Sequence, residues 1–231
     1  MKQIFLGIMV LLLITGTAQA IDKKDLSEVD TQAIVKECQV LKSEIGVHLV
    51  WWIPVEFWEA SLRQREDLAQ KTIEEIVTTL RPYSMLAVVQ ADISALGAFT
   101  FYEKEKIGKN LKITHTGPDG KEKELALLKN IPQDLELLYQ QLKPVLAGAM
   151  GNLGMNFYFF TVADIVGEKR LLSPYEKGRV AVSLKNSADV SVGPFVIETP
   201  LDALFVPRVC PNGKKAHVSW QYCPWSGKKL D

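Results

Sequence analysis

The sequence predicts an α+β fold, in which a mixed or antiparallel sheet packs against two or three helices. Segments with helical spacing of apolar residues and segments with strand spacing are interleaved along the chain. The four residues GPDG at 117–120 predict a tight turn between two strands, and a hairpin implies antiparallel pairing. No unit of about 20–50 residues repeats.

The first predicted helix surrounds Cys38. Its apolar residues recur at i, i+4, i+7 and i+11, which is the stripe of an amphipathic helix: Ile34, Cys38, Leu41 and Ile45. Cys38 should therefore face the core, where a free thiol behaves as a small apolar side chain. The following stretch GVHLVWWIP is largely apolar on both alternating rows, which predicts a strand covered on both faces.

A long second helix is predicted after this strand. Pro54 suits its first turn because the missing N–H has no helical partner there. Helical spacing then continues to Leu80, and Arg81-Pro82 ends it. Two more strands follow, SMLAVVQADIS at 84–94 and GAFTFYEKE at 97–105.

The remaining elements are a hairpin, a third helix and three strands. NLKITHT and KEKELALL flank the turn at 117–120, and a helix runs from Gln133 with Pro144 expected to kink it. The uncharged run that follows is broken by glycine and asparagine into a helix end, a turn and the strand MNFYFFTVA, so no transmembrane segment is expected there. RVAVSLK and FVIE predict further strands, and TPLD at 199–202 predicts one helical turn.

The first 20 residues predict a cleaved secretory signal. Lys2 precedes an uncharged apolar run, and Ala18-Gln19-Ala20 has the small residues of a cleavage site. The run is too short for a membrane-spanning helix, which needs about 20 residues. The mature chain is therefore expected in the periplasm or outside the cell, as an α+β domain over 21–205 and a module over 206–231.

The charge balance argues against a global attraction to nucleic acid or to an anionic membrane. The chain has 27 basic and 27 acidic residues, so no long-range field recruits polyanions. Residues 206–231 carry five basic residues against Asp231, a net charge of 5 − 1 = +4. The interpretation of this local excess is a solvated tail rather than a phosphate or lipid contact.

The C-terminal segment resembles a zinc ribbon, in which two CPxCG turns bring four thiolates to one metal. The stretch CPNG at 210–213 lacks the second cysteine of such a turn, and CPWSG at 223–227 has Ser226 in its place. Two thiolates cannot close a four-coordinate zinc shell. In an oxidising compartment the resemblance implies that the zinc has been replaced by a Cys210–Cys223 disulfide.

The degenerate ribbon occurs together with VWWIPVEFWEASL at 50–62. This combination is similar to an uncharacterised family of exported bacterial proteins.

The favoured functional interpretation is a non-enzymatic interaction or structural protein of the cell envelope, without a cofactor. The three histidines form no metal-binding pattern, and no GxSxG elbow, P-loop or GxGxxG motif occurs. Tryptophan is enriched where interfaces concentrate their binding energy, so an interaction surface could include Trp51, Trp52 and Trp58. Packing in the core is the competing explanation for the same residues. The protein or envelope partner is unknown from the sequence.

Two other functions stay open. Glu56 and Glu59 flank Phe57 and Trp58, and carboxylate pairs beside aromatic walls cleave glycans, which would make the chain an envelope hydrolase. The same i, i+3 spacing in a first helical turn also suits carboxylates that stabilise the helix dipole. A metal binder would use Cys210, His217 and Cys223 in the C-terminal module.

Overall fold

The computed structural model describes residues 21–43, 46–150, 153–167 and 169–230, and the predicted signal peptide at 1–20 lies outside them. Helices and strands are interleaved in this part of the chain, and the strands form antiparallel sheets, which confirms the α+β class. The helices are α1 Thr31–Cys38, α2 Val55–Arg63, α3 Gln70–Leu80, α4 Lys104–Asn110 and α5 Gln133–Ala149. The strands are β1 Gln39–Lys42, β2 Val47–Ile53, β3 Tyr83–Ile93, β4 Phe99–Phe101, β5 Lys112–Thr116, β6 Glu122–Leu125, β7 Tyr158–Ala163, β8 Ile165–Val166, β9 Lys169–Arg170, β10 Gly178–Lys185, β11 Ser191–Thr199, β12 Arg208–Val209 and β13 Lys215–Ala216.

The first sheet is built around β3. Strand β2 pairs antiparallel with one side of β3, and β1 extends the sheet beyond β2. On the other side, β7 pairs with the first half of β3 and β4 pairs with its end. Because β3 has neighbours on both sides and is buried along most of its length, its sequence is apolar in both alternating rows.

The second sheet has the strand order β11-β10-β5-β6, and all of its pairs are antiparallel. The predicted hairpin is present as β5 and β6. Its turn uses Gly120 at a φ of 74°, in the left-handed region that glycine adopts without steric cost. The side-chain amide of Gln90 on β3 donates a 2.7 Å hydrogen bond to the carbonyl of Lys185, which joins the two sheets.

The first predicted helix is wrong in its second half. Helix α1 ends at Cys38, and the next four residues form β1, whose residues pair with β2 from Gln39↔Trp51 to Lys42↔His48. Leu41 is exposed on this strand, and Ile45 lies outside the described residues. The backbone hydrogen bonds offered by β2 therefore outweigh a local helical pattern.

The predicted helix from Pro54 to Leu80 consists of two helices. Pro54 precedes α2 as expected, but residues 64–69 interrupt the helical conformation and include an exposed Arg65–Asp67 ion pair. The predicted strand at 97–105 is also shorter than expected, because only Phe99–Phe101 pairs with β3. Helix α4 follows and buries Ile107 fully.

One large apolar core joins the helices to both sheets, and it includes Cys38. Burial raises the pKa of the Cys38 thiol well above its ordinary value, so this group stays protonated at neutral pH. Within the described ranges, no helix has both the length and the apolar composition needed to cross a bilayer.

Candidate binding site on the C-terminal module

The three tryptophans proposed as an interaction surface lie in the core. Trp51, Trp52 and Trp58 are all buried, so a surface built from them is ruled out as a correction to the sequence interpretation. The indole N–H of Trp52 donates a 2.7 Å hydrogen bond to the Ser84 hydroxyl, and Trp51 packs edge-on against Phe57 at 5.3 Å between ring centroids. The strand that carries Trp51 and Trp52 is covered on both faces, so neither of its alternating rows of side chains is exposed to a partner.

Glu56 takes part in a buried ion cluster rather than lining a cleft. Its Oε1 pairs with the Arg170 guanidinium at 2.5 Å, and the same guanidinium contacts Asp164 Oδ2 at 3.1 Å. Asp164 Oδ1 also accepts a 2.6 Å hydrogen bond from the backbone N–H of Leu172. The cluster therefore ties the first turn of α2 to the β8–β9 hairpin, 114 residues away along the chain.

The cluster contains two carboxyl groups and one guanidinium, so its net charge would be −1 if both carboxyl groups were ionised. Burial raises the pKa of Glu56 and of Asp164, and Arg170 opposes the rise in both cases. Glu56 Oε2 is buried and has no hydrogen-bond partner, an arrangement that favours a proton on this carboxyl.

Glu59 is held by two arginines. Its Oε1 lies 2.7 Å from Arg63 and its Oε2 lies 3.9 Å from Arg81. Glu56 and Glu59 thus each have a cationic partner within the fold, and the expected pair of carboxylates facing a substrate cleft is not formed. The hydrolase interpretation has no geometric support.

The C-terminal module consists of two tight turns held together by a disulfide. Cys210 and Cys223 are bonded, with 5.7 Å between their Cα atoms, which confirms the expected disulfide. In each turn the cysteine carbonyl accepts a 2.8 Å hydrogen bond from a glycine N–H, that of Gly213 or Gly227. Both glycines have positive φ, which allows the chain to reverse direction within a few residues.

The zinc-ribbon identification is wrong. Among the residues that the structure describes, no group of three or more histidine, cysteine, aspartate or glutamate side chains could hold a metal ion. His217 instead places Nδ1 2.7 Å from the Ser219 hydroxyl and Nε2 3.7 Å from Asp202 Oδ1. Because Cys210 and Cys223 are bonded to each other, neither has a thiolate for a metal, and the metal-binding interpretation through Cys210, His217 and Cys223 also fails.

The lysines of the module are exposed, as expected for solvated charges, but the module itself is packed against the main domain and is not a loose tail. Val218 is buried and joins the large core, while its backbone N–H donates a 2.6 Å hydrogen bond to Asp202 Oδ1. Arg208 Nη2 donates to the backbone carbonyls of Val218 and Trp220. The Val218–Asp202 bond fixes the module on the 3₁₀ turn Asp202–Leu204 at the end of the main domain, while the Arg208 bonds hold the module together internally.

The exposed aromatic residues of the protein are concentrated on this module. Trp220, Tyr222 and Trp225 are 36%, 58% and 50% exposed. The Trp220 and Trp225 rings meet edge-on at 5.8 Å, and Lys214 Nζ lies 4.8 Å from the centre of the Trp225 ring. Tyr222 pairs with Lys229 across the second turn, which places their side chains on one side of the hairpin. We refer to these five residues as the aromatic–basic face.

The face has an unbalanced charge. Residues 206–230 contain no acidic residue, and their basic residues are Arg208, Lys214, Lys215, Lys228 and Lys229. The sequence therefore held two signals for this site, a run of basic residues and aromatic residues beside cysteines. What the sequence could not show is that the small module leaves these rings uncovered, since its own buried cluster has only four members: Cys210, Ala216, Cys223 and Leu230.

Comparison of the chain with protein-family models, with curated proteins and with solved structures finds no match. The expected similarity to a family of exported bacterial proteins therefore gains no support. The function must be argued from the geometry of this chain.

Proposed function

We propose that this chain is an exported, non-enzymatic binding protein of the cell envelope, which attaches through its aromatic–basic face to an anionic membrane surface. The observation that carries the proposal is a module with five basic residues and one acidic residue, Asp231, which exposes Trp220, Tyr222 and Trp225 beside lysines. Trp and Tyr favour the boundary between lipid and water, and lysines are attracted to anionic headgroups.

A membrane surface fits this composition better than a protein partner. Protein interfaces are enriched in tryptophan and tyrosine but depleted in lysine. The face combines both aromatic types with Lys214 and Lys229, which is the combination of interfacial segments of membrane-bound proteins. The binding would be peripheral, because the exposed rings reach only the headgroup region.

Export is supported by two independent features. The N-terminal 20 residues have the layout of a secretory signal. The Cys210–Cys223 bond is of a kind that persists in oxidising compartments and is rare in the cytosol.

The binding is tested by co-sedimentation of the mature, oxidised chain with vesicles. Vesicles that contain phosphatidylglycerol should carry the protein down at low salt, and vesicles of phosphatidylcholine alone should not. Replacing Lys214 and Lys229 by glutamine removes two charges worth about 1 kcal/mol each near an anionic surface, so partitioning should fall about 30-fold. Raising the salt should weaken binding of the unchanged protein in the same direction.

The matched control replaces Lys121 and Lys123 by glutamine, which removes the same charge from the exposed β5–β6 hairpin. This variant should bind as the unchanged protein does. Equal losses in both variants would show that only net charge matters, and would overturn the assignment of the face.

Export is tested by expressing the full chain in a Gram-negative host. The protein should be released by osmotic shock, with a mass that lacks residues 1–20 and with Cys210 and Cys223 unreactive to thiol reagents. Retention of an intact leader in the cytoplasm would contradict this part of the proposal.

A further inference from the structure

A cavity of about 280 Å³ lies where the C-terminal module meets the main domain. One side of α1, the 3₁₀ turn and strand β13 contribute to its walls. Its charged lining residues are Lys24, Asp30, Glu37, Asp202, Arg208 and Lys215. Asp30 and Lys215 are exposed, so the cavity is open to solvent at its rim. Its size is near the lower end of ligand pockets and suits a small molecule.

Hydrogen bonds to the backbone already occupy part of the acidic lining. Glu37 accepts from the backbone N–H groups of Asp202 and Ala203 with both of its oxygens, at 2.6 and 2.9 Å. Oδ1 of Asp202 accepts from Val218, and Oδ1 of Asp30 accepts from Gln32. In the described part of the chain, the second oxygen of each aspartate has no hydrogen-bond donor and remains available to a ligand.

The basic lining is partly committed as well, because Arg208 Nη2 donates to the backbone carbonyls of His217, Val218 and Trp220. Among the described residues, Lys24, Arg208 and Lys215 form no ion pair; Lys24 Nζ donates only to the Ala203 carbonyl at 3.1 Å. The Nε–H of Arg208 is buried and has no acceptor. Because this atom is closed to solvent, it does not face the open cavity, and Lys24 and Lys215 are the less committed basic residues of the lining.

The charges of the lining select the class of ligand. Three basic and three acidic residues give a net charge of 3 − 3 = 0. A simple anion or cation would be attracted by one half of this lining and repelled by the other half. A molecule with both charges can align its carboxylate with the basic residues and its ammonium group with the aspartates.

We propose that this cavity binds a small zwitterion, namely an amino acid or a short peptide with free termini. Its carboxylate would be held by Lys215 and its ammonium group by the free oxygen of Asp30, the two exposed charged residues of the rim. The apolar lining residues Phe205 and Val218 lie beside these charges and can contact a small side chain. The site shares no member of the aromatic–basic face, so the two proposals stand separately.

The experiment follows the backbone amide signals of Ala203 and Val218 by NMR in the mature, oxidised chain while alanyl-alanine is added. Saturable shifts at these two amides are expected. The N-acetylated dipeptide, the dipeptide amide and inorganic phosphate are the comparison probes. Each blocked form lacks one charge and should bind about tenfold more weakly, the change expected when one charge-assisted hydrogen bond is lost.

Two variants locate the ends of the ligand. Asp30→Asn keeps a side chain that can cap α1 but removes its charge, so it should abolish the preference for a free amino terminus. Lys215→Gln should instead abolish the preference for a free carboxyl terminus. Lys229→Gln, on the same module but outside the cavity lining, should change neither preference.

The proposal is overturned if free and blocked dipeptides shift these amides equally, or if none of them does. Binding of phosphate with an affinity equal to that of the dipeptide would replace the zwitterion site with a simple anion site, and would also contradict the proposal. Neither result bears on vesicle binding, because the cavity lining and the aromatic–basic face share no residue.

Discussion

The five tryptophans divide into two groups with opposite surroundings. Trp51, Trp52 and Trp58 belong to the main domain and are buried, whereas Trp220 and Trp225 belong to the C-terminal module and are exposed. In the described residues, the main domain has two large sheets, the small β8–β9 sheet and five α-helices to cover its rings. The module has two tight turns and a disulfide. Residue type therefore did not decide burial here; the amount of structure available to cover each ring did.

The two regions also differ in what holds them together. The main domain relies on a large continuous core, while the module has a small cluster of four buried residues around the Cys210–Cys223 bond. A covalent bond can replace buried apolar area in a segment that is too small to form a core. Because the module is held by a disulfide and has little core of its own, its aromatic rings stay on the surface, where they can contact a partner.

The largest effect is expected for Trp52→Ala. It removes a fully buried ring and the partner of the Ser84 hydroxyl, so the free energy of unfolding should fall by about 3–5 kcal/mol. Urea unfolding followed by circular dichroism measures the change. Trp52→Phe retains most of the apolar volume and serves as the control, with a smaller loss. A loss below about 1 kcal/mol for the alanine variant would contradict the central position of Trp52.

A smaller and local effect is expected when Cys210 and Cys223 are both replaced by serine. Closing a loop of this length with a disulfide contributes on the order of 3 kcal/mol. The loss should be confined to the module, because most of the main core does not depend on it. Hydrogen exchange should show reduced protection of the backbone N–H groups at positions 223 and 227, which are bonded within the second turn. Amides of β3 should keep their protection, and their loss would show that both regions unfold as one unit.

Glu56→Gln tests the buried cluster through its pH dependence. Burial raises the pKa of Glu56 above its ordinary value of 4.5, although Arg170 opposes the rise. The native state then holds this proton more tightly than the unfolded chain does. The contribution of Glu56 to stability is fully present below its unfolded pKa and is lost as pH rises through its folded pKa.

The free energy of unfolding of the unchanged protein, minus that of Glu56→Gln, should therefore be largest at acidic pH and should decrease as pH rises. Urea unfolding at several pH values measures this difference. An increase in the difference toward neutral pH would mean that the ion pair with Arg170 dominates over burial, in contradiction to the expected direction.

The smallest effect on stability is expected for Trp225→Ala. The ring is half exposed, and its contacts are an edge-on approach to Trp220 and a cation–π contact with Lys214. Surface changes of this kind usually alter the free energy of unfolding by about 0.5 kcal/mol or less. The same unfolding measurement used for Trp52→Ala checks it, so the two variants compare a tryptophan from each region directly. A loss similar to that of Trp52→Ala would abolish the contrast between the regions.

Elements defined by neighbouring residues were predictable from the sequence. The β5–β6 turn depends on Gly117–Gly120, and the start of α2 depends on Pro54; both are present where expected. The boundary between α1 and β1 was not predictable, because it depends on hydrogen bonds to β2 that local spacing does not contain. The interruption at 64–69 was also missed, since apolar residues on both sides of it keep roughly helical spacing.

The sequence by itself determined the α+β class and the two cysteines available for a bond near the C-terminus, because turn residues, apolar periodicity and cysteine spacing act over short distances along the chain. Only the tertiary structure decided which tryptophans are covered, that Glu56 pairs with Arg170 rather than facing a substrate, and that the module and α1 enclose a cavity with balanced charges. Burial and electrostatic pairing are properties of neighbours in space, and these neighbours lie far apart in the sequence.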